Sequence, residues 1–162
     1  MILNPTENLL YTTYLGDSLY MILRYNEFAK KFEFHYKSTD QIHKFNFPYQ
    51  VGTNGDSPYH AITNSHSVSH KDIIIAASDG LWDNLYDDEI IQHINKAEVN
   101  GFLYNYNKIA FDLAKKAEIN SFNREFESPF SKKAKETGLN FRGGKVDDIT
   151  VIVSQLTQIK HN

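Results

Sequence analysis

Hydrophobic and polar residues follow one another in several short patterns that predict β-strands. Residues 9–15 (LLYTTYL) are rich in Leu, Tyr and Thr and end at Gly-Asp-Ser, and the apolar run 19–23 follows at once. Aromatic and β-branched residues favour strands, whereas Gly-Asp-Ser favours a turn. We therefore predict two strands with a turn or bulge between them.

Three later runs also have strand character. Residues 32–36 alternate in a way that predicts a half-buried strand with Phe32, Phe34 and Tyr36 on one face. Residues 72–78 (DIIIAAS) form a continuous apolar run, which predicts a central strand covered on both faces. Residues 149–156 (ITVIVSQL) predict a last strand.

Two helices are expected between these strands. Three acids at positions 87–89 suit a first helical turn, and isoleucines at 90, 91 and 94 form an apolar stripe. A second helix is predicted over residues 107–119, whose apolar face comprises Ile109, Ala110, Leu113, Ala114 and Ala117. Residues 52–64 predict a surface loop, and residues 121–142 are polar and predicted to be irregular. The overall class is α+β with packed sheets.

Composition limits the classes of function. The chain has 162 residues, the size of one domain, and a formal net charge of −3. That mild acidity argues against a nucleic-acid binder, which needs a basic surface. The chain has no cysteine, so disulfides, cysteine-ligated zinc and cysteine-nucleophile mechanisms are excluded.

The sequence shows no membrane-spanning or secretory pattern. Its apolar runs are far shorter than the ~20 residues that cross a bilayer. The first residues, Met-Ile-Leu-Asn-Pro, lack the basic and apolar regions of a signal peptide. We therefore expect a cytoplasmic or mitochondrial location.

Acidic residues stand at the ends of three predicted strands. Asp17 follows the first strand, Asp79 and Asp83 follow residues 72–78, and Asp147 and Asp148 precede the last strand. Carboxylates gathered at one sheet edge suit a hard cation such as Mg²⁺ or Mn²⁺. The alternative is that Asp-Gly is a simple turn and that Asp83 caps a helix.

Three of these segments resemble the signatures of a known family. Residues 15–23 (LGDSLYMIL), 72–84 (DIIIAASDGLWDN) and 143–153 (GGKVDDITVIV) resemble, in the right order, signatures of the metal-dependent serine/threonine protein phosphatases of type 2C (PPM). Residues 43–50 and 128–144 are similar to a branch of small, mitochondrion-associated members. The resemblance extends over roughly residues 8–156.

The resemblance implies a fold and a site. The fold would be an αββα sandwich of two antiparallel sheets flanked by helices. Asp79 and Asp147 match the family's metal ligands, and Asp17 and Asp83 match acids that hold a further cation. The backbone of Gly80 would lie close to the metals.

The implied activity is hydrolysis of phosphoserine and phosphothreonine in a phosphoprotein substrate. Two or more Mn²⁺ or Mg²⁺ ions would activate a water molecule, and no protein nucleophile is needed. Asp148 stands where Asn is more usual, and we expect it to support the neighbouring ligand.

A basic stretch precedes the last signature. It comprises Lys132, Lys133, Lys135, Arg142 and Lys145. One interpretation is a solvated loop. The other is that Arg142 or Lys145 attracts the anionic phosphopeptide.

The family's first signature has no counterpart in this sequence. That signature carries an Asp-Gly pair that bridges both metals, and neither Asp40 nor Asp56 fits its context. We therefore expect residues 1–162 to be a partial phosphatase domain, incomplete at the N-terminus, with poor affinity for a second metal and an exposed edge at strand 9–15.

Three explanations of the missing signature stay open. We favour a fragment of a longer phosphatase with low or no activity alone. A catalytically inactive phosphatase-like interaction module is the alternative. A separate partner chain that supplies the missing segment is the third.

Overall fold

Antiparallel strands make up most of the molecule. The structure is a computed structural model that describes residues 1–158, so the last four residues of the predicted domain 1–162 lie outside the described residues. The strands of this part are β1 (Ile2–Asn4), β2 (Leu9–Tyr14), β3 (Leu19–Asn26), β4 (Lys31–Lys37), β5 (Ile42–Lys44), β6 (Phe47–Pro48), β7 (Ile62–Ser67), β8 (Ile73–Ala77) and β9 (Val151–Gln155).

The strands form two main sheets. One has three strands in the order β1-β2-β7, and the other has four in the order β4-β3-β8-β9. All pairings are antiparallel, and β5 and β6 form a separate small hairpin. In the four-stranded sheet, Leu19 pairs with Ala77, and Ala77 pairs with Val151. The start of β3, the end of β8 and the start of β9 therefore meet at one edge of the sheet, the edge formed by strand ends.

The helices are α1 (Asp79–Trp82), α2 (Asp87–Val99), α3 (Tyr106–Ser121) and α4 (Pro129–Glu136), with a short 3-10 helix at Pro58–His60. The larger core lies between the four-stranded sheet and α2 and α3, and includes Ile73, Ile75, Ile90 and Leu113. A smaller core that contains Ile74 lies between the two sheets. Antiparallel sheets flanked by helices confirm the predicted α+β class.

The strongest sequence patterns gave the right elements. β8 lies inside the predicted strand 72–78, and its isoleucines alternate between the two cores, so the strand is covered on both faces as predicted. Two helices, α2 and α3, cover the predicted apolar stripes and bury Ile90, Ile94 and Ile109.

The prediction of a single apolar face on β4 is wrong. Phe32 is buried in the helix-side core, Phe34 is 55% exposed, and Tyr36 packs between the sheets. The register with β3 shifts between Ile22 and Leu23. Such a β-bulge adds one residue to a strand, so the side chains beyond it change face.

The region predicted to be irregular contains a helix. Within residues 121–142, α4 begins at Pro129 after Ser128, whose side chain accepts a hydrogen bond from the Ser131 amide. Proline suits the first helical position, and serine suits the position before it. The buried face of this eight-residue helix has just two apolar residues, Phe130 and Ala134, so the polar composition of the segment concealed it. The predicted loop 52–64 is also wrong at its end, because β7 begins at Ile62.

The expected exposed edge at strand 9–15 is not observed. β2 lies between β7 and β1, because residues 5–8 turn the chain back and pair Ile2–Asn4 with β2. The open edges of this sheet are therefore β1 and β7.

A helix that crosses a membrane must be both long and apolar. In the part of the chain that the structure describes, no helix is both long and apolar enough to cross a bilayer.

Candidate active site

The four predicted metal ligands come together at one edge of the four-stranded sheet. Asp17 lies in the turn between β2 and β3, Asp79 opens α1 directly after β8, and Asp83 follows α1. Asp147 lies just before β9. Because β3 begins where β8 ends and β9 begins, the pairing of these strands carries all four acids to the same edge.

Lys145 lies at the centre of three of these acids. Its Nζ atom is 2.6 Å from Asp79 Oδ2, 2.8 Å from Asp83 Oδ2 and 3.0 Å from Asp147 Oδ2. Oxygens that contact the same nitrogen cannot be far apart, so Asp79 and Asp147 face the same space. The Lys145 side chain is only 17% exposed. Its ammonium is therefore enclosed by the carboxylates and does not project outwards.

Asp17 and Asp40 extend the acidic region. Both line a small cavity of about 50 Å³ that also borders Asp79 and Asp83. Lys133, on α4, reaches this cavity and contacts Asp40 at 3.1 Å. Asp40 was not among the predicted metal ligands. It nevertheless follows β4, just as the other acids follow or precede strands. That position was the signal that could have found it.

Burial and charge change the protonation of the acids. Burial raises the pKa of Asp83 above its ordinary value, although the hydrogen bond from Lys145 opposes this shift. Burial also raises the pKa of Asp17, and the charge on Asp79 raises it further. Burial raises the pKa of Asp147, but the contacts with Lys145 and with the Asp148 amide lower it by more. The pKa of Asp147 therefore lies below its ordinary value.

The contacts with the carboxylates also change the pKa of Lys145. Burial disfavours the ammonium of Lys145, but the hydrogen bonds to Asp79 and Asp83 outweigh burial and raise its pKa above the ordinary value. The lysine therefore stays charged in this site.

Asn84 fixes the backbone of Lys145. Its side chain is buried; Nδ2 donates to the Gly80 carbonyl at 3.0 Å and to the Lys145 carbonyl at 2.8 Å, and Oδ1 accepts from the Lys145 amide at 2.9 Å. Asn84 was not among the predicted site residues. No local pattern marks its role, because that role depends on contacts with Lys145, which lies 61 positions away.

Close backbone packing holds Asp147 beside Asp79. A Cβ atom on Gly80 would lie 2.5 Å from the Asp148 carbonyl oxygen, so only glycine fits there. The Asp148 amide donates to Asp147 Oδ1 at 2.9 Å, while the Asp148 side chain is exposed. The contribution of Asp148 to the site is thus made by its backbone.

Arg142 is not brought into the acidic region. It is exposed and lines a separate surface depression of about 520 Å³, together with Phe122 and Arg124.

The donor atoms suit a divalent cation, but the lysine stands among them. Among residues 1–158, no three acids or histidines are arranged to hold a metal ion as they stand. The oxygens of Asp79, Asp83 and Asp147 are the ligand type that Mg²⁺ and Mn²⁺ prefer. The acids outnumber Lys145 and Lys133, so the region keeps a negative charge. The ligand chemistry therefore suits a divalent ion, but the three carboxylates are gathered around the Lys145 ammonium.

The chain is similar to several protein phosphatases in sequence and in structure. The chain is 35% identical over 163 residues to the protein phosphatase PTC7 homologue of Xenopus laevis, a match that covers 95% of this chain and 52% of that protein. The human PTC7 homologue gives 35% identity over 95% of this chain and 51% of that protein. In structure, the photosystem II phosphatase PBCP matches with a TM-score of 0.80 and 27% identity, over 96% of this chain and 62% of that chain. The chain belongs to the type 2C (PPM) protein phosphatase family.

The type 2C resemblance predicted from residues 15–23, 72–84 and 143–153 is thereby confirmed. The probable protein phosphatase 2C 55 of Arabidopsis thaliana is a further relative, 35% identical over 98% of this chain and 33% of that protein. No protein-family model matches the chain. The chain spans about half the length of the PTC7 relatives it matches.

Proposed function

We propose that this type 2C chain supplies carboxylate ligands for the metal-dependent hydrolysis of phosphoserine and phosphothreonine in proteins. The observation that carries the proposal is the meeting of Asp79, Asp83 and Asp147 on one nitrogen, at the sheet edge of a phosphatase fold.

Asp79 and Asp147 would hold Mn²⁺ or Mg²⁺, and Asp17 and Asp83 would add oxygens for a further ion. Such ions lower the pKa of water and offset charge on phosphoryl oxygens. The chain orients the ligands: the Asp148 amide fixes Asp147, and the close approach at Gly80 fixes the distance between the two segments.

Cationic side chains around the acids would attract the phosphoprotein. Lys133 borders the acidic cavity, and Arg142 lies exposed on a neighbouring surface. A positive charge near the site favours the encounter with an anionic substrate. Lys145 can take part only after it leaves the carboxylates.

The chain alone is proposed to have low or no activity. Two primary ligands do not clamp two divalent ions, so a missing N-terminal segment or a partner chain would complete the site. On this proposal, residues 1–162 are part of a phosphatase domain.

A second candidate function is an inactive, phosphatase-like interaction module. The observation that favours it is that the Lys145 ammonium contacts the same carboxylates that a metal would need.

Hydrolysis of p-nitrophenyl phosphate with Mn²⁺ separates the two functions. We expect weak turnover that Asp79→Ala and Asp147→Asn abolish, because both remove a ligand. Asp148→Asn is the matched control, since that exposed side chain should change turnover by less than about threefold.

The same assay applies to this chain joined to the upstream half of a PTC7 relative. Turnover that appears only in the joined protein, and that needs Asp79, supports a fragment of an enzyme. No turnover in either protein contradicts the proposed activity and favours the interaction module.

A further inference from the structure

The Lys145 ammonium is bound as a cation by acidic side chains of its own chain. The Lys145 ammonium donates hydrogen bonds to Asp79 and Asp83 and forms an ion pair with Asp147 at 3.0 Å. Its Nζ also lies 5.1 Å from the centre of the Phe130 ring, whose face favours a cation. The ammonium is thus held by three carboxylates and one aromatic ring.

The backbone of the lysine is held in place while its side chain can rotate. Asn84 binds both the amide and the carbonyl of Lys145, and Gly144 packs so closely on Asn120 that a Cβ atom would lie 2.1 Å from its carbonyl oxygen. Four rotatable carbons separate this fixed backbone from the ammonium. The ammonium can therefore leave the carboxylates without any change in the loop.

A divalent ion and the Lys145 ammonium compete for the same atoms. A metal bound to Asp79 and Asp147 would take the Oδ2 atoms that now accept from Nζ. Two cations so close together repel one another strongly in a partly buried site. Only one of them can occupy the carboxylates at a time.

We propose that Lys145 is an internal counter-ion that occupies the carboxylate site when no metal is bound and lowers the affinity of the site for divalent ions. The proposal rests on the metal site of the proposed function. It gives a regulatory role to a residue for which the sequence left two interpretations open, a solvated loop and attraction of the phosphopeptide.

The test is Mn²⁺ binding by isothermal titration calorimetry to the wild type, Lys145→Met and Lys145→Arg. We expect Lys145→Met to bind Mn²⁺ about tenfold more tightly than the wild type, since it removes the competing charge. Lys145→Arg keeps the charge and should stay within about threefold of the wild type. Lys135→Met is the matched control and should bind Mn²⁺ as the wild type does, because Lys135 contacts Glu127 and does not border the acidic cavity.

Thermal unfolding gives a second readout. Without metal, Lys145→Met should unfold at a lower temperature than the wild type, because three carboxylates then repel one another. Excess Mn²⁺ should raise its unfolding temperature by more than it raises that of the wild type.

The outcomes are distinct. If both chains bind Mn²⁺ with equal affinity, or Lys145→Met binds more weakly, the competition is overturned while the metal site stands. If neither chain binds Mn²⁺, the metal site of the proposed function fails together with this inference.

A measurement on the wild type remains if Lys145→Met does not fold. The lysine Nζ signals are followed by NMR during a titration with diamagnetic Mg²⁺. We expect Lys145 to lose its ion-pair shift while Lys133 changes little. An unchanged Lys145 signal at Mg²⁺ saturation overturns the proposal.

Discussion

Gly80 is the point at which two segments of the acidic site touch. Its Cα faces the Asp148 carbonyl, and a Cβ atom would also lie 3.0 Å from Ile149 Cγ1. Because Asp79 precedes Gly80 and Asp147 precedes Asp148, this one contact sets the separation of the two proposed primary ligands.

Gly80→Ala should therefore destabilise the protein. We expect the free energy of unfolding in urea to fall by about 1–3 kcal/mol, because the new methyl group must push the backbone of residues 148–149 away. Gly52→Ala is the matched control, since a Cβ atom there meets nothing within 4 Å. It should stay within about 0.5 kcal/mol. Equal losses in the two variants would contradict this account of the contact.

Single residues of the site differed in how far the sequence revealed them. The sequence places three acids beside predicted strand ends, namely Asp17, Asp79 and Asp147. It therefore predicted that they lie at one edge of the sheet. The role of Asn84 could not be predicted, because it depends on a contact with Lys145 across 61 positions of sequence. The inward direction of Lys145 depends on the same contact.

At the scale of elements, α4 connects the acidic site to the rest of the chain. Ser128 caps its N-terminus and is fully buried, and the Ser128 hydroxyl also donates to the Gly143 carbonyl at 2.7 Å. One side chain thus joins the start of α4 to the loop that carries Lys145. Lys133 reaches the acidic cavity from the same helix.

Ser128→Ala should loosen both connections. We expect a loss of about 2 kcal/mol in the free energy of unfolding, because the variant removes a helix cap and leaves a buried carbonyl without its donor. Ser57→Ala provides the comparison: Ser57 caps the exposed 3-10 helix at 3.3 Å and should cost less than about 1 kcal/mol. A loss at Ser128 no greater than that at Ser57 would show that the contact with Gly143 adds nothing. Chemical denaturation measures both.

Long elements with strong periodicity were predicted well, and short or irregular ones were not. β8 and α2 have apolar patterns that only one structure satisfies. α4 is stabilised by the contacts of Ser128 and Phe130 with distant residues, which its own sequence does not show. The bulge in β4 likewise depends on its pairing with β3.

At the scale of the whole molecule, a polar network lies between the two sheets. The Tyr20 hydroxyl is within hydrogen-bonding distance of Thr12 Oγ1 at 2.6 Å and of His66 Nε2 at 2.8 Å. Tyr36 packs beside them, and burial raises the pKa of its hydroxyl to about 12. Burial also lowers the pKa of His66.

Stability should fall as the pH falls below about 6.5, the ordinary pKa of histidine in the unfolded chain. In that range the unfolded chain takes up a proton that His66 in the folded chain resists, so acid favours unfolding. Thermal unfolding between pH 7.5 and 5.5 measures the slope.

His66→Gln should reduce this slope, since an amide can still bond to Tyr20 but does not titrate. His70→Gln, at an exposed position, is the control and should leave the slope unchanged. His93, whose pKa burial also lowers, would account for a remaining slope. If stability changes with pH in His66→Gln as steeply as in the wild type, His66 and its network do not cause the pH dependence.

The two sheets are attached to the molecule with unequal strength. Within residues 1–158, seventeen buried apolar residues join the four-stranded sheet to its helices, whereas five join it to the three-stranded sheet, and one of these five is Tyr20, with its polar hydroxyl. The outer sheet should therefore separate first in local opening events. Asp79, Asp83 and Asp147 would keep their places in such an event, whereas Asp17, in the turn that joins β2 to β3, would be the carboxylate most displaced. The position of Asp17 in the site thus depends on how often the two sheets separate.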